Sequence, residues 1–498
     1  MNVNPITRLD YPDPDVIRVE DTYYMVSTTM HFMPGCEILQ SFDLVHWEHV
    51  TYVYETLDHT DAQQLKSGHN IYGQGMWAAS LRYHEGRFYI CFVANDTRKT
   101  YLYTSEKIDG PWKKQLIEGF YHDGSLLFDE DGRSYIVYGN DEIWITELNE
   151  DLTAPKKDGL HRLLVSDHKN PELGYEGSHI QKINGYYYIF LVHSLRDRWM
   201  RTEACFYSDS LEGEFTGGDV LCDDRGYCGQ GVAQGGIVDT PDGKWYAMLF
   251  QDSGAVGRIP ILLPVTWKDH FPVFGQNGHV PEEIEVHSTR PGYIYQPLVG
   301  SDDFCNGLLP RWQFNHDPDP RYYHLDALQG TYTITTREVC TELTQAVNTL
   351  TQRMSYPSCA AEVTVDASAL KEGDVAGLCA LQGCYAAVGI TKHHGKYEVL
   401  MLDKKEDGIL DMTEGTVVES HQMDFRLEAD FCNMKDEARC YYRVNKGDWL
   451  PIGTVHKLYF KLDHFTGCRF GLFCYAAEET GGSACFRDFK YYDVDEIS

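Results

Sequence analysis

The sequence predicts an all-β protein, with a five-bladed β-propeller at residues 1–298 and an antiparallel β-sandwich at residues 299–498. One segment plan recurs five times before residue 250: a strand, a tight turn, and a short apolar strand that contains a tyrosine. Repeats of roughly 40–60 residues that each form a small antiparallel meander are typical of propeller blades. After residue 297 this plan gives way to alternating apolar and polar residues with frequent turns, which favours a sandwich. Helical periodicity is nearly absent, which supports the all-β prediction.

Each repeat has a tyrosine shortly after its turn. These anchors are Tyr24, Tyr89, Tyr135, Tyr188 and Tyr246. In four repeats a glycine precedes the tyrosine by three residues, where its tolerance of positive φ suits a two-residue hairpin turn. The apolar run after each turn has the length of a strand and not of a helix.

The repeats also place particular side chains at one equivalent position, where the strand before the turn begins. Counting back twelve residues from the last four anchors, and eleven from the first, gives Asp13, Trp77, Asp123, Glu176 and Gln234. In a propeller this position faces the funnel at the central axis. A single acidic residue there is explained by capping of a strand, but three in one register predict an active site.

Two further features sharpen this prediction. Pro12 and Pro14 flank Asp13 and hold it in an extended backbone, which suits a carboxylate that must keep one direction. Arg258 follows an inner strand of the fifth repeat. An arginine within a funnel of carboxylates keeps a neighbouring aspartate ionised.

Composition restricts the ligand class and the compartment. The formal net charge of −32 argues against nucleic acid, anionic membranes and polyanionic substrates, and 34 tyrosines favour a small neutral ligand such as a sugar. No secretory signal and no membrane-spanning apolar run is visible. Fifteen cysteines without a C-x-x-C pair indicate a reduced, cytoplasmic protein, although a protein that has lost its signal would look the same. A homo-oligomer is left open.

The sandwich region contains two candidate features. Asp302 and Asp303, with Asp488, are candidates for a structural calcium site, and ordinary turn chemistry is the alternative. The turn-rich segment 312–320, WQFNHDPDP, is a candidate wall that closes one side of the funnel.

Several motifs resemble glycoside hydrolase family 43. They are YPDPDVIRVEDTYYMVSTT, GMWAASLRY, HDGSLLFDEDGRSYIVYG, YEGSHIQKINGYYYIF and VGRIPILLPVTW. The DDF and WQF segments, with NTLTQR at 348–353, resemble the sandwich of two-domain xylosidases in that family. The resemblance implies a five-bladed propeller with β-xylosidase, α-L-arabinofuranosidase or arabinanase activity, and chemistry that requires no cofactor.

The resemblance also implies roles for single residues. Asp13 corresponds to the general base, Glu176 to the general acid, and Asp123 to the residue that tunes the acid and orients the sugar. These types suit glycoside hydrolysis, which needs one acid to protonate the leaving oxygen and one carboxylate to activate water. The resemblance further implies substrate-binding roles, which fall to Met30, His31, Trp77, Gln234 and Arg258.

This chain departs from the family pattern at three positions. Gln234 stands where many relatives have a histidine that helps to hold a metal ion on the axis, so an axial calcium is open, although an amide oxygen can bind calcium. Met30 replaces an aromatic residue and Ser178 a proline, so the subsite can differ in shape. His122 and His179 are either substrate contacts or ordinary residues of strand and rim.

We therefore predict an exo-acting, inverting glycosidase that removes xylose, with arabinofuranose as a second sugar, from xylo-oligosaccharides or arabinoxylan fragments. Arabinofuranosidase or arabinanase as the main activity is the alternative. A non-catalytic propeller that binds sugars is a different class, and three acids in one register argue against it. Because Asp13 and Glu176 come from blades 1 and 4, we expect their carboxyl groups to lie roughly 6.5–9.5 Å apart, as inversion requires.

Overall fold

The computed structural model describes residues 2–493, and within them regular structure consists of β-strands and single 3₁₀ turns. The 3₁₀ turns are Lys66–Gly68, Gly254–Val256, Leu343–Gln345 and Cys432–Met434. In this described part, no helix has the length and apolar composition that crossing a bilayer requires. The all-β prediction is confirmed.

Five four-stranded antiparallel sheets follow one another along the chain and form the propeller. Their strands are Asp15–Val19, Thr22–Val26, Gly35–Ser41 and Glu48–Tyr54 in blade 1; Met76–His84, Arg87–Ala94, Lys99–Ser105 and Lys113–Ile117 in blade 2; Ser125–Phe128, Ser134–Asn140, Glu142–Leu148 and His161–Ser166 in blade 3; Glu176–Ile183, Tyr186–Ser194, Arg201–Ser208 and Thr216–Leu221 in blade 4; and Val232–Asp239, Trp245–Asp252, Arg258–Lys268 and Phe271–Phe274 in blade 5. The innermost strands contact one another in a closed ring, because that of blade 5 meets that of blade 1. The predicted propeller is confirmed, and every anchor tyrosine lies on the second strand of its blade.

The inner strands are irregular where they begin. Register shifts separate Met76 from Ala79, Glu176 from His179, and Ala233 from Gly236. A bulge of this kind re-aims a side chain at the edge of a sheet. Trp77, Glu176 and Gln234 lie at these three bulges, whereas Asp13 and Asp123 come just before the first strands of blades 1 and 3.

The propeller axis below this point is filled by a charged network. The Arg82 guanidinium, from blade 2, donates to the Asp15 carboxylate of blade 1 at 2.7 Å and to Ser125 Oγ of blade 3 at 2.7 Å. It also reaches the carbonyl oxygen of Ile180 in blade 4. Asp15 is held further by His179 Nδ1 at 3.1 Å. Four blades are thus joined through one arginine.

Two packed sheets form the C-terminal sandwich. The larger sheet contains Leu410–Met412, Lys396–Lys404, Ala386–His393, Val375–Leu381, Arg469–Tyr475, Leu350–Arg353, Gln313–Asn315 and Phe32–Met33 in spatial order, with Thr416–Val418 paired to Lys396–Lys404. The smaller contains Tyr323–Asp326, Thr331–Thr335, Ser483–Asp493, Ser358–Asp366, Gln422–Asp430, Glu437–Val444 and Leu450–Lys457. Buried side chains such as Leu378, Phe425 and Phe486 fill the space between them. The predicted sandwich is confirmed.

The two parts share a sheet and a buried ion pair. Phe32–Met33, from the loop within blade 1, pairs with Gln313–Asn315 of the sandwich. Arg353 of the sandwich donates to Glu37 of blade 1 at 2.9 Å, with both side chains buried. A short pairing of Asn2–Val3 with Glu283–Ile284 lies between the last blade and the sandwich. The boundary at residue 298 stays a prediction.

Candidate active site

A cavity of about 540 Å³ opens where the inner strands begin. Its walls contain seven of the eight predicted site residues: Asp13, Met30, Trp77, Asp123, Glu176, Gln234 and Arg258. Four of these seven have positive φ although none is glycine: Asp13, Met30, Asp123 and Gln234. Such strained backbone is common at functional sites, where the surrounding fold holds it in place.

Asp13 is fixed from two sides. Its carboxylate accepts hydrogen bonds from Arg258 Nη1 at 3.0 Å and from the hydroxyl of Thr28. The backbone N–H of Arg258 donates to Asp10 at 2.8 Å, which fixes the arginine in turn. The Asp13 carboxylate is therefore held in one orientation. Its backbone has φ of 53° and is not extended, so the prediction of an extended backbone between Pro12 and Pro14 is wrong.

Glu176 lies opposite in a different environment. Its Oε2 accepts a hydrogen bond from Asn140 Nδ2 at 2.8 Å and lies 3.5 Å from His122 Nε2. Asp123 accepts the backbone N–H of Gly177 at 2.9 Å. Gly177 has φ of 66°, and a Cβ there would lie 2.7 Å from Gln234 Cγ, so only glycine fits.

The acidic cluster shifts two pKa values. Burial raises the pKa of Asp123, His122 opposes this shift, and the charges of Glu176 and Asp13 add to it, for a pKa of about 6. Burial lowers the pKa of His122, but Asp123, Glu176 and Asp13 outweigh burial and raise it to about 9. The site thus contains an imidazolium among its carboxylates at neutral pH.

Several buried donors in the cavity wall have no hydrogen-bond partner among the described residues. They are Trp77 Nε1, Arg258 Nε and Arg258 Nη2. An unpaired buried donor is costly and rare in a folded protein, and a ligand with many oxygen atoms removes that cost. These donors fit the hydroxyl groups of a sugar.

His31 is the predicted site residue that does not line the cavity. Its ring is fully buried and packs between the propeller and the sandwich, 4.8 Å from Tyr72 and His316 and 5.0 Å from His464 between ring centroids. Burial is the main reason why its pKa lies well below the usual value. Met30 lines the cavity and His31 does not, so the structure gives no support to the prediction that His31 binds substrate.

The open questions about His122, His179 and Ser178 have structural answers. His122 lines the cavity, whereas His179 binds Asp15 in the axial network. Ser178 is buried, and its Oγ has no hydrogen-bond partner among the described residues.

A calcium ion on the axis stays a prediction. The Arg82 guanidinium pairs with the Asp15 carboxylate at 2.7 Å. The backbone N–H of Gln234 donates to Glu203 Oε2 at 2.7 Å. We derive no step through a metal.

The backbone of Asp302 pairs with Phe489, next to Asp488, but the carboxylate oxygens of Asp302, Asp303 and Asp488 do not all lie within 4.8 Å of one another. Asp302 accepts hydrogen bonds from the backbone N–H of Phe304 at 2.7 Å and from Trp312 Nε1 at 2.8 Å. Asp303 accepts the backbone N–H of Cys305. In the described residues, the only group of three or more His, Cys, Asp or Glu with ligand atoms within 4.8 Å of one another is His122, Asp123 and Glu176. A calcium ion in the sandwich stays a prediction.

The sandwich does close one side of the cavity, but with another segment than predicted. Phe460, Lys461, Leu462 and Phe465 line the cavity. Segment 312–320 does not, because its residues are used in the sheet and in packing, as with Trp312 on Asp302. The centroid of the Phe465 ring lies 4.3 Å from Arg258 Cζ, so an aromatic face packs against the arginine that binds Asp13.

Sequence reasoning missed several residues of the cavity. They are Asn140, Glu172, Trp199, Arg201, Gln230 and Asp252. Asn140 and Asp252 end second strands, and Arg201 begins a third strand and donates to Asp252 at 2.8 Å. In an antiparallel meander these ends return to the face where the inner strand begins, so polar residues there were a usable signal.

Comparisons with known proteins agree with this architecture. Residues 3–272 match the glycosyl hydrolases family 43, and residues 301–492 match the β-xylosidase C-terminal concanavalin A-like domain. A protein named β-xylosidase from Formosa agariphila is 27% identical over 99% of this chain and 89% of its own length. A solved structure of a bifunctional GH43-CE protein from Bacteroides eggerthii has a TM-score of 0.93 and 42% identity, and it covers all of this chain.

The chain spans 64% of the length of that Bacteroides eggerthii protein. A second solved structure is that of a GH43 glycoside hydrolase whose engineered active site gives both endo-xylanase and exo-arabinofuranosidase activity. Its TM-score is 0.86, with 28% identity over 99% of both chains. Since the first family match covers more than half of the sequence and the acidic cavity lies within it, this chain belongs to glycosyl hydrolases family 43 and is a glycoside hydrolase.

Proposed function

We propose that this enzyme is an exo-acting, inverting glycosidase that removes single pentoses, xylose above all, from the ends or side chains of xylo-oligosaccharides. The names of its relatives support xylose as the sugar. We expect Phe460 and Phe465, which line the cavity, to limit the length of sugar chain that it can hold and so to favour exo action. The excess of acidic residues supports a neutral substrate.

The surroundings of the two outer carboxyl groups support their roles. Asp13, held by Arg258 and Thr28, takes a proton from the attacking water. Glu176 gives a proton to the leaving oxygen as the glycosidic bond breaks. The water oxygen forms the new bond to the anomeric carbon, so one sugar and one alcohol are released.

Asp123 lies beside Glu176, and its hydrogen-bond partner differs from those of Asp13. Its bond from Gly177 fixes the backbone next to Glu176, and burial together with the charges of Glu176 and Asp13 raises its own pKa. We assign it the role of tuning the acid and orienting the sugar.

The observation that carries the proposal is the difference in partners between Asp13 and Glu176. One carboxylate is bound by an arginine, whereas the other has an amide donor and an imidazole beside it. A lectin has no use for two acids in such different environments. Arabinofuranosidase activity remains the second candidate, because relatives carry names for both sugars.

Glu176→Ala tests the assignment. We expect hydrolysis of xylobiose to fall by about 10²–10⁴-fold, since general acid catalysis contributes that much. Dinitrophenyl β-xyloside, whose leaving group needs little protonation, should lose much less. The exposed Glu212→Ala on the same blade serves as a control. Equal losses on both substrates would remove the acid role from Glu176, and release of arabinose but not xylose would favour the second candidate.

A further inference from the structure

His122 is the cationic neighbour of the proposed acid. It directly precedes Asp123, and its Nε2 lies 3.5 Å from Asp123 Oδ2 and 3.5 Å from Glu176 Oε2. Nε2 is buried and has no hydrogen-bond partner among the described residues. The imidazole therefore interacts with both carboxyl groups through its charge.

The groups that face His122 are almost all acidic. Asp123 comes from its own segment, Glu176 from blade 4 and Asp13 from blade 1. Blade 2 contributes the uncharged Trp77 ring, edge-on at 5.7 Å between centroids. Arg258 is engaged with Asp13 on the other side. The carboxylates of Asp123 and Asp13 favour the protonated imidazole even while Glu176 carries its proton.

We propose that His122 is a positioning residue that stabilises the carboxylate formed on Glu176 when Glu176 gives its proton to the leaving oxygen. Glu176 is neutral before the transfer and negative after it, so a fixed positive charge 3.5 Å away acts more strongly on the product of that step than on its start. Asn140, which donates to the same Oε2, contributes a neutral hydrogen bond.

The inference rests on the proposed function, because it needs Glu176 as the acid. It adds a specific consequence for pH dependence. A positive charge beside a carboxyl group favours the ionised form, so without it the acid stays protonated to a higher pH but is a weaker proton donor.

Two neutral substitutions and one charged substitution test the idea. His122→Gln keeps polarity and His122→Phe keeps a ring against Trp77, while His122→Lys keeps the charge. In both neutral variants we expect the basic limb of the kcat/KM profile for xylobiose to move up by about one pH unit and the plateau to fall about 10-fold. Dinitrophenyl β-xyloside should change by less than about 3-fold, since it needs little acid catalysis.

His122→Lys should restore the wild-type limb in part. His161→Gln, an exposed histidine stacked on Trp144 in the same blade, is the matched control and should leave both profiles unchanged. Two results would overturn the inference. One is a basic limb that does not move in the neutral variants, and the other is a basic limb that moves as far in His122→Lys as it does in the neutral variants. Thermal unfolding measurements identify a variant that fails to fold. If one neutral variant fails, the pH profile of the other neutral variant tests the inference.

The parallel Glu176→Ala profile separates two failures. If that variant loses xylobiose and dinitrophenyl xyloside activity equally, the proposed acid is wrong. If it behaves as expected while the His122 variants keep the wild-type limb, only the role of His122 is wrong.

Discussion

Asp13 and Glu176 show how neighbouring residues set the behaviour of one functional group. Asp13 is tied to an arginine and a hydroxyl, and Glu176 to an amide and an imidazole. Both sets of partners come from several blades, so no short segment of chain encodes them. The chemistry of the site is a property of the closed ring.

Glu203 is a buried acid below the cavity whose charge the fold does not compensate. It lies on the third strand of blade 4, and its Oε2 accepts the N–H of Gln234. Burial raises its pKa well above the usual value. The native state therefore keeps a proton that the unfolded chain loses above about pH 4.3.

We expect Glu203→Gln to stabilise the protein increasingly as pH rises. The contribution of Glu203 to stability is fully present below the unfolded pKa and is lost as pH rises toward the folded pKa, by up to about 1.4 kcal/mol per pH unit. The glutamine oxygen can still accept the N–H of Gln234. Melting temperatures of variant and wild type from pH 5 to 8 check this, with the exposed Glu214→Gln as control. A difference that is constant over this range would contradict it.

At the scale of elements, segment 458–467 of the sandwich connects two environments. Phe460 and Phe465 face the cavity, while the His464 ring stacks at 4.6 Å on Tyr72 in the interface with the propeller. The loop that contains Met30 behaves likewise, since Met30 lines the cavity and Phe32 joins the sandwich sheet. The wall of the cavity is thus built from both parts of the chain.

Phe465→Ala should lower kcat/KM for nitrophenyl β-xyloside. Removing an aromatic face from Arg258 loses about 0.5–2 kcal/mol, which corresponds to about 2- to 30-fold in kcat/KM. Phe465→Tyr keeps the ring and should retain most of the activity. Melting temperatures near the wild-type value would show that the fold is intact. Full activity of the alanine variant would mean that the ring does not support Arg258.

The spacing of the repeats predicted which residues share one structural position. It did not predict contacts between residues that are far apart in the sequence. The five residues at this position all lie in the cavity wall, because each is found close to the start of an inner strand. They are Asp13, Trp77, Asp123, Glu176 and Gln234. Phe465 contacts Trp77 from almost 400 positions away, and nothing local in either segment indicates this. Met30 and His31 are neighbours in the sequence, but Met30 lines the cavity and His31 packs against His316 and His464 of the sandwich. The local sequence does not reveal these contacts with the sandwich.

At the scale of the whole molecule, the propeller provides the acids and the sandwich provides the wall. The shared sheet at Phe32–Met33 and the buried pair of Arg353 with Glu37 hold the two together. Below the cavity, the Arg82 guanidinium and Asp15 join the inner strands.

The most direct test of the account is the anomeric form of the sugar released first. Inversion needs room for a water between the two carboxyl groups, roughly 6.5–9.5 Å, whereas a covalent mechanism needs about 5 Å. Asp13 is short and is held back by Arg258 and Thr28, so it is placed to activate water and not to attack the anomeric carbon. Proton NMR of β-xyloside hydrolysis should therefore show α-xylose before mutarotation. Early β-xylose, or a glycosyl ester trapped on Asp13, would contradict the assignment of base and acid.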